Sequence, residues 1–259
     1  MDSPVDCKYL YGLIGYPLAH SFSRDFFNSK FLAEDIDAHY VNFEISDISL
    51  LNDVIAEYPN LCGLNVTAPY KQSVIPLLDD LDETAREVGA VNVIGFHRDA
   101  ATGVLHSLRG YNTDVVAFGK TIDGMRMPQQ AAAMVLGTGG AAAAVRAALV
   151  KRGIDVTMVS RRKSEHTLVY EELTRAMVSA HWLIVNATPL GMYPNTGQSP
   201  DFPYRFLSNQ HLCYDLIYNP EETLFLRNAA HYGAQTKNGL EMLLLQAMAS
   251  YDVWTQDNL

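Results

Sequence analysis

Gly137-Thr138-Gly139-Gly140-Ala141-Ala142 follows the apolar run Ala131 to Leu136 and leads into the alanine-rich segment Ala141 to Leu149. A buried strand that turns sharply into a helix is the reading that decides the fold here. In that setting the stretch is a candidate dinucleotide site. Gly137 makes the tight turn, Gly139 lacks the Cβ that would hold a pyrophosphate off the backbone, and Ala142 is small enough for close helix-to-strand packing. Free amides at the helix start then face the anion. Small residues also occur wherever a helix packs tightly on a sheet, so the motif alone leaves both readings open.

One strand-helix step later, Asp155 to Val159 reads as a second strand ending in Ser160-Arg161-Arg162-Lys163. A site for NAD usually carries an acidic residue about 20 positions beyond the first glycine, bonded to the ribose 2′-hydroxyl. Here that place is cationic. Guanidinium and ammonium groups attract a 2′-phosphate, which selects NADP(H) over NAD(H). The alternative is a solvated basic turn.

At 259 residues the chain is long enough for two modest domains, and its net charge of −10 argues against general binding to nucleic acid or an anionic membrane. Cys7, Cys62 and Cys213 are odd in number, far apart and without metal-ligand spacing, so a reduced cytoplasmic protein with free thiols and no metal site is expected. The N-terminal residues show no basic region followed by a long apolar segment, and no run of about 18 apolar residues occurs.

Working outward, the first third alternates strand and helix signals: strands at Tyr9 to Ile14, His39 to Glu44 and Leu61 to Val66, with helices from Phe22 to Leu32 and Ile48 to Tyr58. That order predicts a mostly parallel α/β sheet, to which Val91–Phe96 and Val104–Leu108 add a hairpin. Further strands are expected at Ala132 to Leu136, Val156 to Val159, Leu183 to Asn186 and Cys213 to Ile217. A closing helix from Gly239 offers Leu240, Leu243, Leu244 and Met248 as an apolar face. The expected division is a first domain over 1–112, completed by 239–259, and a Rossmann-type dinucleotide domain over 113–238.

Four clusters outside the glycine loop can carry chemistry. Ser21 and Ser23 stand before a helix, where hydroxyls either cap amides or bind a carboxylate. Asn65-Val66-Thr67-Ala68-Pro69-Tyr70-Lys71 lies at the carboxyl end of a strand, where open α/β sheets place ligands. Pro69 is expected to open a helix with Lys71 in its first turn. Asn112-Thr113-Asp114 reads as a helix N-cap or as a site element, and Asp215-Leu216-Ile217-Tyr218 ends an apolar strand with Tyr218 as core or ligand.

Taken jointly with the glycine loop, Ala90-Val91-Asn92 and the closing Asn238 to Ala247, these clusters resemble the shikimate dehydrogenase family over roughly 12–249. The resemblance implies two domains, reduction of 3-dehydroshikimate to shikimate with NADPH in aromatic amino acid biosynthesis, and a small-molecule substrate handled by a monomer or homodimer. It implies that Ser21 and Ser23, with Tyr218 nearby, hold the substrate carboxylate. Asn65, Thr67, Asn92 and Gln246 match residues around the ring hydroxyls, and Lys71 and Asp114 the catalytic pair. Gly137, Thr138, Gly139, Gly140 and Ala141 match the pyrophosphate loop, and Ser160, Arg161, Arg162 and Lys163 the 2′-phosphate clamp. Asn186, Thr188, Leu216, Gly239 and Met242 match the stretches around ribose and nicotinamide.

The chain departs from the family pattern at Arg24, where proline is usual, and at Phe27, where histidine is usual before Asn28. The stretch between Arg162 and His181 is short, so an element there is expected to be trimmed. A quinate or aminoshikimate-type dehydrogenase and a non-catalytic dinucleotide sensor are the alternative readings. Lys71 with Asp114 reads as a proton-transfer pair or as an ordinary salt bridge, and the presence of both argues against the sensor, which requires no proton donor.

Overall fold

A computed structural model describes residues 6–18, 22–99 and 102–256. Chain contacts divide it into two compact units, Met1–Thr113 with Ala247–Leu259, and Asp114–Gln246. The expected boundary placed all of 239–259 with the first unit, whereas 239–246 group with the second. The local reason is Gly239, whose amide donates to Ile217 O at 3.0 Å.

The first unit contains β1 (Tyr9–Gly15), α1 (Phe22–Ala33), β2 (Ala38–Glu44), α2 (Leu51–Glu57), β3 (Leu61–Val66), β4 (Asp80–Leu81), α3 (Glu83–Val88), β5 (Val93–Arg98) and β6 (Leu105–Tyr111). Its sheet has the order β2-β1-β3-β5-β6-β4. β1 pairs in parallel with β2 and β3, while β5 runs antiparallel to both β3 and β6, the hairpin that the sequence foretells. Because the chain passes from β1 to β2 and then back across β1 to β3, its crossovers cover opposite faces of the sheet. Leu51 and Val54 of α2 join Leu10, Ile14, Leu61 and Leu64 in one core. Phe27 and Phe31 of α1 join Tyr11, Tyr40 and Trp254 in the other. Period-2 alternation supplies each face in turn along β1, while in β3 a register shift against β1 after Leu61 brings Leu61 and Leu64 to the same core.

The second unit holds α4 (Thr113–Asp123, its first residue counted with the first unit), β7 (Ala132–Leu136), α5 (Gly140–Val150), β8 (Asp155–Ser160), β9 (Leu168–Val169), α6 (Arg175–Ser179), β10 (Leu183–Asn186), β11 (Leu212–Asp215), α7 (Leu224–His231) and β12 (Gln235–Lys237). All pairings in its sheet, ordered β12-β11-β10-β7-β8-β9, are parallel. Counted from β7 this is the doubly wound order of dinucleotide-binding folds, with the topological switch between β7 and β10. β9 and α6 are the short elements of the stretch after Arg162. The strand expected to reach Ile217 stops at Asp215, because the Asp215 side chain accepts the Ile217 amide at 3.0 Å and turns the chain.

α8 (Leu240–Gln256) closes the chain and runs across the division between the units. The expected apolar face is corrected. Leu240, Leu244 and Met248 are exposed, and the buried positions are Met242, Ala247, Ser250 and Trp254. Trp254 sets that rotation in the first unit, stacking on Tyr11 at 4.8 Å and donating its indole N–H to Ile94 O at 3.2 Å. Among the described residues no helix is long and apolar enough to cross a membrane, and no group of acidic, histidine or cysteine side chains could hold a metal ion.

Candidate active site

In the first unit the carboxyl ends of β1 and β3 lie at the sheet's switch point, and of the expected substrate residues Asn65, Thr67 and Asn92 lie there. Asn65, near the end of β3, points to the face shared by α1 and α8. Its Oδ1 accepts the Tyr40 hydroxyl at 2.8 Å, and its Nδ2 donates to Ser250 Oγ at 2.9 Å and to Asn92 O at 3.3 Å. Both amide hydrogens are thus taken, and the carbonyl lone pair is what Asn65 can still offer a ligand. Burial pushes the Tyr40 phenol well above its ordinary value, so it stays protonated and donates; a hydrogen bond from Ser23 opposes the shift. Ser23, in the first turn of α1, therefore touches the same chain of bonds. Asn92 is 2% exposed. Its Oδ1 accepts Thr113 N at 2.8 Å and its Nδ2 donates to Thr113 Oγ1 at 2.9 Å. Ser21 lies outside the described residues.

Thr67 extends the β1–β3 pairing by donating its amide to Ile14 O at 2.9 Å. Lys71 follows, half-buried, and the expectation of a helix opening at Pro69 is corrected. Thr67 to Val74 form successive turns that lead into a single 3-10 turn, Ile75–Leu77. Pro76 has no N–H to give and its ring would collide with the carbonyl four residues back, so a helix started at Pro69 has no room to propagate. Lys71 is instead fixed through its backbone, whose carbonyl accepts Val91 N at 2.7 Å. The two departures also separate. Phe27 is completely buried, stacked on Tyr40 at 4.8 Å, and is core; Arg24 is exposed and pairs with Asp25 at 3.2 Å.

In the second unit Asp114 is buried in the first turn of α4, where an acid is favoured by the helix dipole. Asn112, just before that helix, donates from Nδ2 to Ala90 O at 2.8 Å. The glycine loop occupies the switch point. Gly137 has φ +120°, a conformation closed to most side chains, and a Cβ there would lie 3.0 Å from Ala187 O. Its amide donates to Val159 O at 2.8 Å, which places the loop beside the end of β8. Gly139 is the N-cap of α5 and has open space where a Cβ would stand, while Thr138 is exposed and Gly140 and Ala141 begin the helix. Open space over backbone amides at a helix start fits a pyrophosphate.

At the end of β8, Ser160 Oγ accepts Arg162 N at 3.3 Å, and Arg161 and Arg162 extend into solvent with no ion pair among the described residues. Lys163 differs. It pairs with Glu172 and holds that carboxyl below its ordinary value, so it is a cation already answered. Asn186, at the end of β10, is fully buried; its Oδ1 accepts the amide and hydroxyl of Thr188 at 3.0 and 2.7 Å, and its Nδ2 donates to Asp215 Oδ1 at 3.0 Å. Asn186 therefore shapes the loop that carries Thr188. Gly239 closes against Leu216, where a Cβ would stand 2.0 Å from Leu216 O and only glycine fits. Met242 is buried one helical turn on, Gln246 donates from Nε2 to Leu243 O at 3.0 Å, and Tyr218 is half-buried.

Sequence reasoning missed Tyr40, Ser250 and Thr223, which hold candidate side chains in place. Tyr40 sits in an apolar strand, where its ring explains its presence and nothing marks its hydroxyl. Thr223, the N-cap of α7, accepts Leu226 N at 3.3 Å, and its position before Leu224-Phe225-Leu226 is the signal that could have found it.

Residues 13–94 match the family model described as the shikimate dehydrogenase substrate binding domain. The shikimate dehydrogenase (NADP(+)) of Desulforamulus reducens is 38% identical over 268 residues, which cover 94% of this chain and 89% of that protein. The chain belongs to the shikimate dehydrogenase family. Among solved structures, shikimate dehydrogenase 1 of Peptoclostridium difficile is 35% identical with a TM-score of 0.81, covering 96% of this chain and 92% of that one. The quinate dehydrogenase of Corynebacterium glutamicum, solved in complex with NAD, is 29% identical with a TM-score of 0.80, covering 96% and 94%. Membership of the shikimate dehydrogenase family and the mixed α/β fold with two mostly parallel sheets agree with the resemblance read from the sequence.

Proposed function

We propose that this chain catalyses the reversible, NADPH-dependent reduction of 3-dehydroshikimate to shikimate, a step toward the aromatic amino acids. One observation carries the reading: relatives named for NADP-dependent shikimate dehydrogenase align along nearly the whole chain, 94% in the Desulforamulus reducens case, on a fold with a doubly wound second unit. The first unit takes the acid and the second takes the dinucleotide.

Ser21 and Ser23 bind the substrate carboxylate with Tyr218, and Asn65, Thr67, Asn92 and Gln246 surround the ring hydroxyls. NADPH, when bound, supplies the hydride. Lys71 donates a proton to the carbonyl oxygen as it becomes an alkoxide, so hydride and proton together give the alcohol. Asp114 accepts a ring hydroxyl. Gly137 to Ala141 cradle the pyrophosphate with Thr188 beside them, and Leu216, Gly239 and Met242 border the nicotinamide. Arg161 and Arg162, with Ser160, grip the 2′-phosphate, and Lys163 joins them by exchanging Glu172 for phosphate.

A second reading, quinate oxidation with NAD, is favoured by the likeness to the Corynebacterium glutamicum enzyme. The cationic end of β8 weighs against it, since the ribose hydroxyl of NAD calls for an acid there. Shikimate and quinate oxidation are followed with NADP+ and with NAD+ by absorbance of the reduced cofactor. Shikimate with NADP+ gives the highest kcat/KM; quinate with NAD+ as the best pair overturns the assignment. Lys71→Ala lowers kcat by about 10² to 10⁴ while NADP+ binding survives. Wild-type turnover in that variant across the pH range excludes Lys71 as the donor, whereas a wild-type protein that binds NADP+ but oxidises neither acid is a dinucleotide sensor.

A further inference from the structure

Asp215 is a carboxylate enclosed completely by the protein, and every hydrogen-bond partner it has is neutral. Asn186 Nδ2 and Ile217 N each donate to Oδ1 at 3.0 Å, and the Thr223 hydroxyl donates to Oδ2 at 2.6 Å. Three donors and no acceptor is the pattern that an ionised carboxylate satisfies. Among the described residues no lysine or arginine pairs with it. On the segment that follows, Glu222 and Arg227 pair with each other at the surface at 3.4 Å, and Glu221 is exposed. Desolvation pushes the Asp215 carboxyl up to about 6, against the lowering effect of the bonds from Thr223, Ile217 and Asn186. The donor set holds a carboxylate in place, and no cation among the described residues offsets the cost of burying its charge.

The surroundings suggest what the charge does. Its donors come from the last residue of β10, whose side chain also holds Thr188, from the loop after β11, which carries Leu216, and from the N-cap of α7. Leu216 in turn abuts Gly239. Asp215 thus immediately precedes Leu216, one of the residues assigned above to the border of the nicotinamide. The ring is cationic in the oxidised cofactor and neutral in the reduced one, so a fixed anion nearby acts on one form only, and a buried anion is weakly screened. We infer that the buried charge of Asp215 stabilises the oxidised nicotinamide over the reduced one, and so sets the ratio of affinities for NADP+ and NADPH. The inference rests on reading the second unit as the NADP site.

Dissociation constants of NADP+ and NADPH are measured on the full chain without substrate, for the wild-type protein and for Asp215→Asn, which keeps the shape and removes the charge. NADPH affinity stays within about twofold, while NADP+ binding weakens roughly three- to tenfold. A purely structural role moves both constants together or only the melting temperature, and either result overturns the inference. Should the variant fail to fold, the wild-type ratio is followed from pH 8 to pH 5. Protonation of Asp215 then shifts it toward NADPH by the same factor, the 2′-phosphate being common to both ligands, and a flat ratio overturns the inference. A wild-type protein that binds neither dinucleotide refutes the reading of the second unit itself, and the inference falls with it.

Discussion

The side-chain amide of Asn65 donates to Ser250 Oγ at 2.9 Å, joining β3 to a helix 185 residues further along the chain. Both residues are buried, and the same amide reaches Asn92 O, so one side chain ties β3, the residue before β5 and α8 together.

Removing the hydroxyl in Ser250→Ala leaves an Asn65 N–H without its acceptor in a buried place, which costs about 1 to 3 kcal/mol. The melting temperature should fall by several degrees, and KM for shikimate should rise because Asn65 is no longer held. NADP+ affinity, measured by titration, should stay as it was. An unchanged KM alongside a lowered melting temperature would confine Ser250 to a structural role.

Gly137→Ala tests the turn at the switch point. Alanine must adopt φ +120° and approach Ala187 O at 3.0 Å, a combination that costs on the order of 1 to 3 kcal/mol. NADP+ affinity should drop at least tenfold, while shikimate binding to the first unit changes little. Calorimetric titration of each ligand separates the two effects.

The clamp at the end of β8 is tested by replacing Arg161 and Arg162 together with alanine. Hydrogen bonds to charged groups contribute about 1.5 to 3 kcal/mol, so KM for NADP+ should rise at least about tenfold and KM for NAD+ hardly at all. Equal losses for both cofactors in steady-state assays would remove the clamp. Lys163→Ala should have a smaller effect than the arginines, because its ammonium already pairs with Glu172.

Asp215 makes stability depend on pH with a definite sign. Its carboxyl sits at about 6 in the folded chain against 3.8 ordinarily, so the folded state holds a proton that the unfolded state has released. Folding is favoured at low pH by this group, and the advantage is lost as pH rises from about 4 through about 6. The gap corresponds to roughly 3 kcal/mol. Asp215→Asn should therefore exceed the wild-type protein in stability at pH 7.5 by about 1 to 3 kcal/mol and match it near pH 4, in denaturant titrations at the two pH values.

The second unit was the more legible half because its strands are buried on both faces and read as continuous apolar runs. Ala132–Leu136 and Leu183–Asn186 stand where the pattern puts them. In the first unit Leu61–Val66 does the same, and the hairpin of β5 and β6 shows in its polar turn. Failures came where distant contacts override local pattern. α8 shows an apolar stripe at Leu240, Leu244 and Met248, yet the bulk of Trp254 decides which side is buried. The cap of α7 depends on a single hydrogen bond that periodicity does not register, and the turns after Pro69 follow from Pro76, whose veto on a helix lies outside the apolar pattern. At the candidate site the residue types were readable, but their commitments were not. That Asn65 and Asn186 bind mainly to their own fold, or that Lys163 has an anionic partner, follows only from coordinates.

Trp254 also governs the order in which the chain can assemble. Tyr11, Phe27 and Tyr40 are among the earliest residues made, and the aromatic cluster that covers their side of the sheet is completed by a side chain translated after the whole of the second unit. During synthesis the first unit waits with one face of β1 and β3 uncovered, while the second, contiguous in sequence, can close its core as it leaves the ribosome. A fragment ending at residue 113 should accordingly be prone to aggregation, and supplying 247–259 in trans should rescue it.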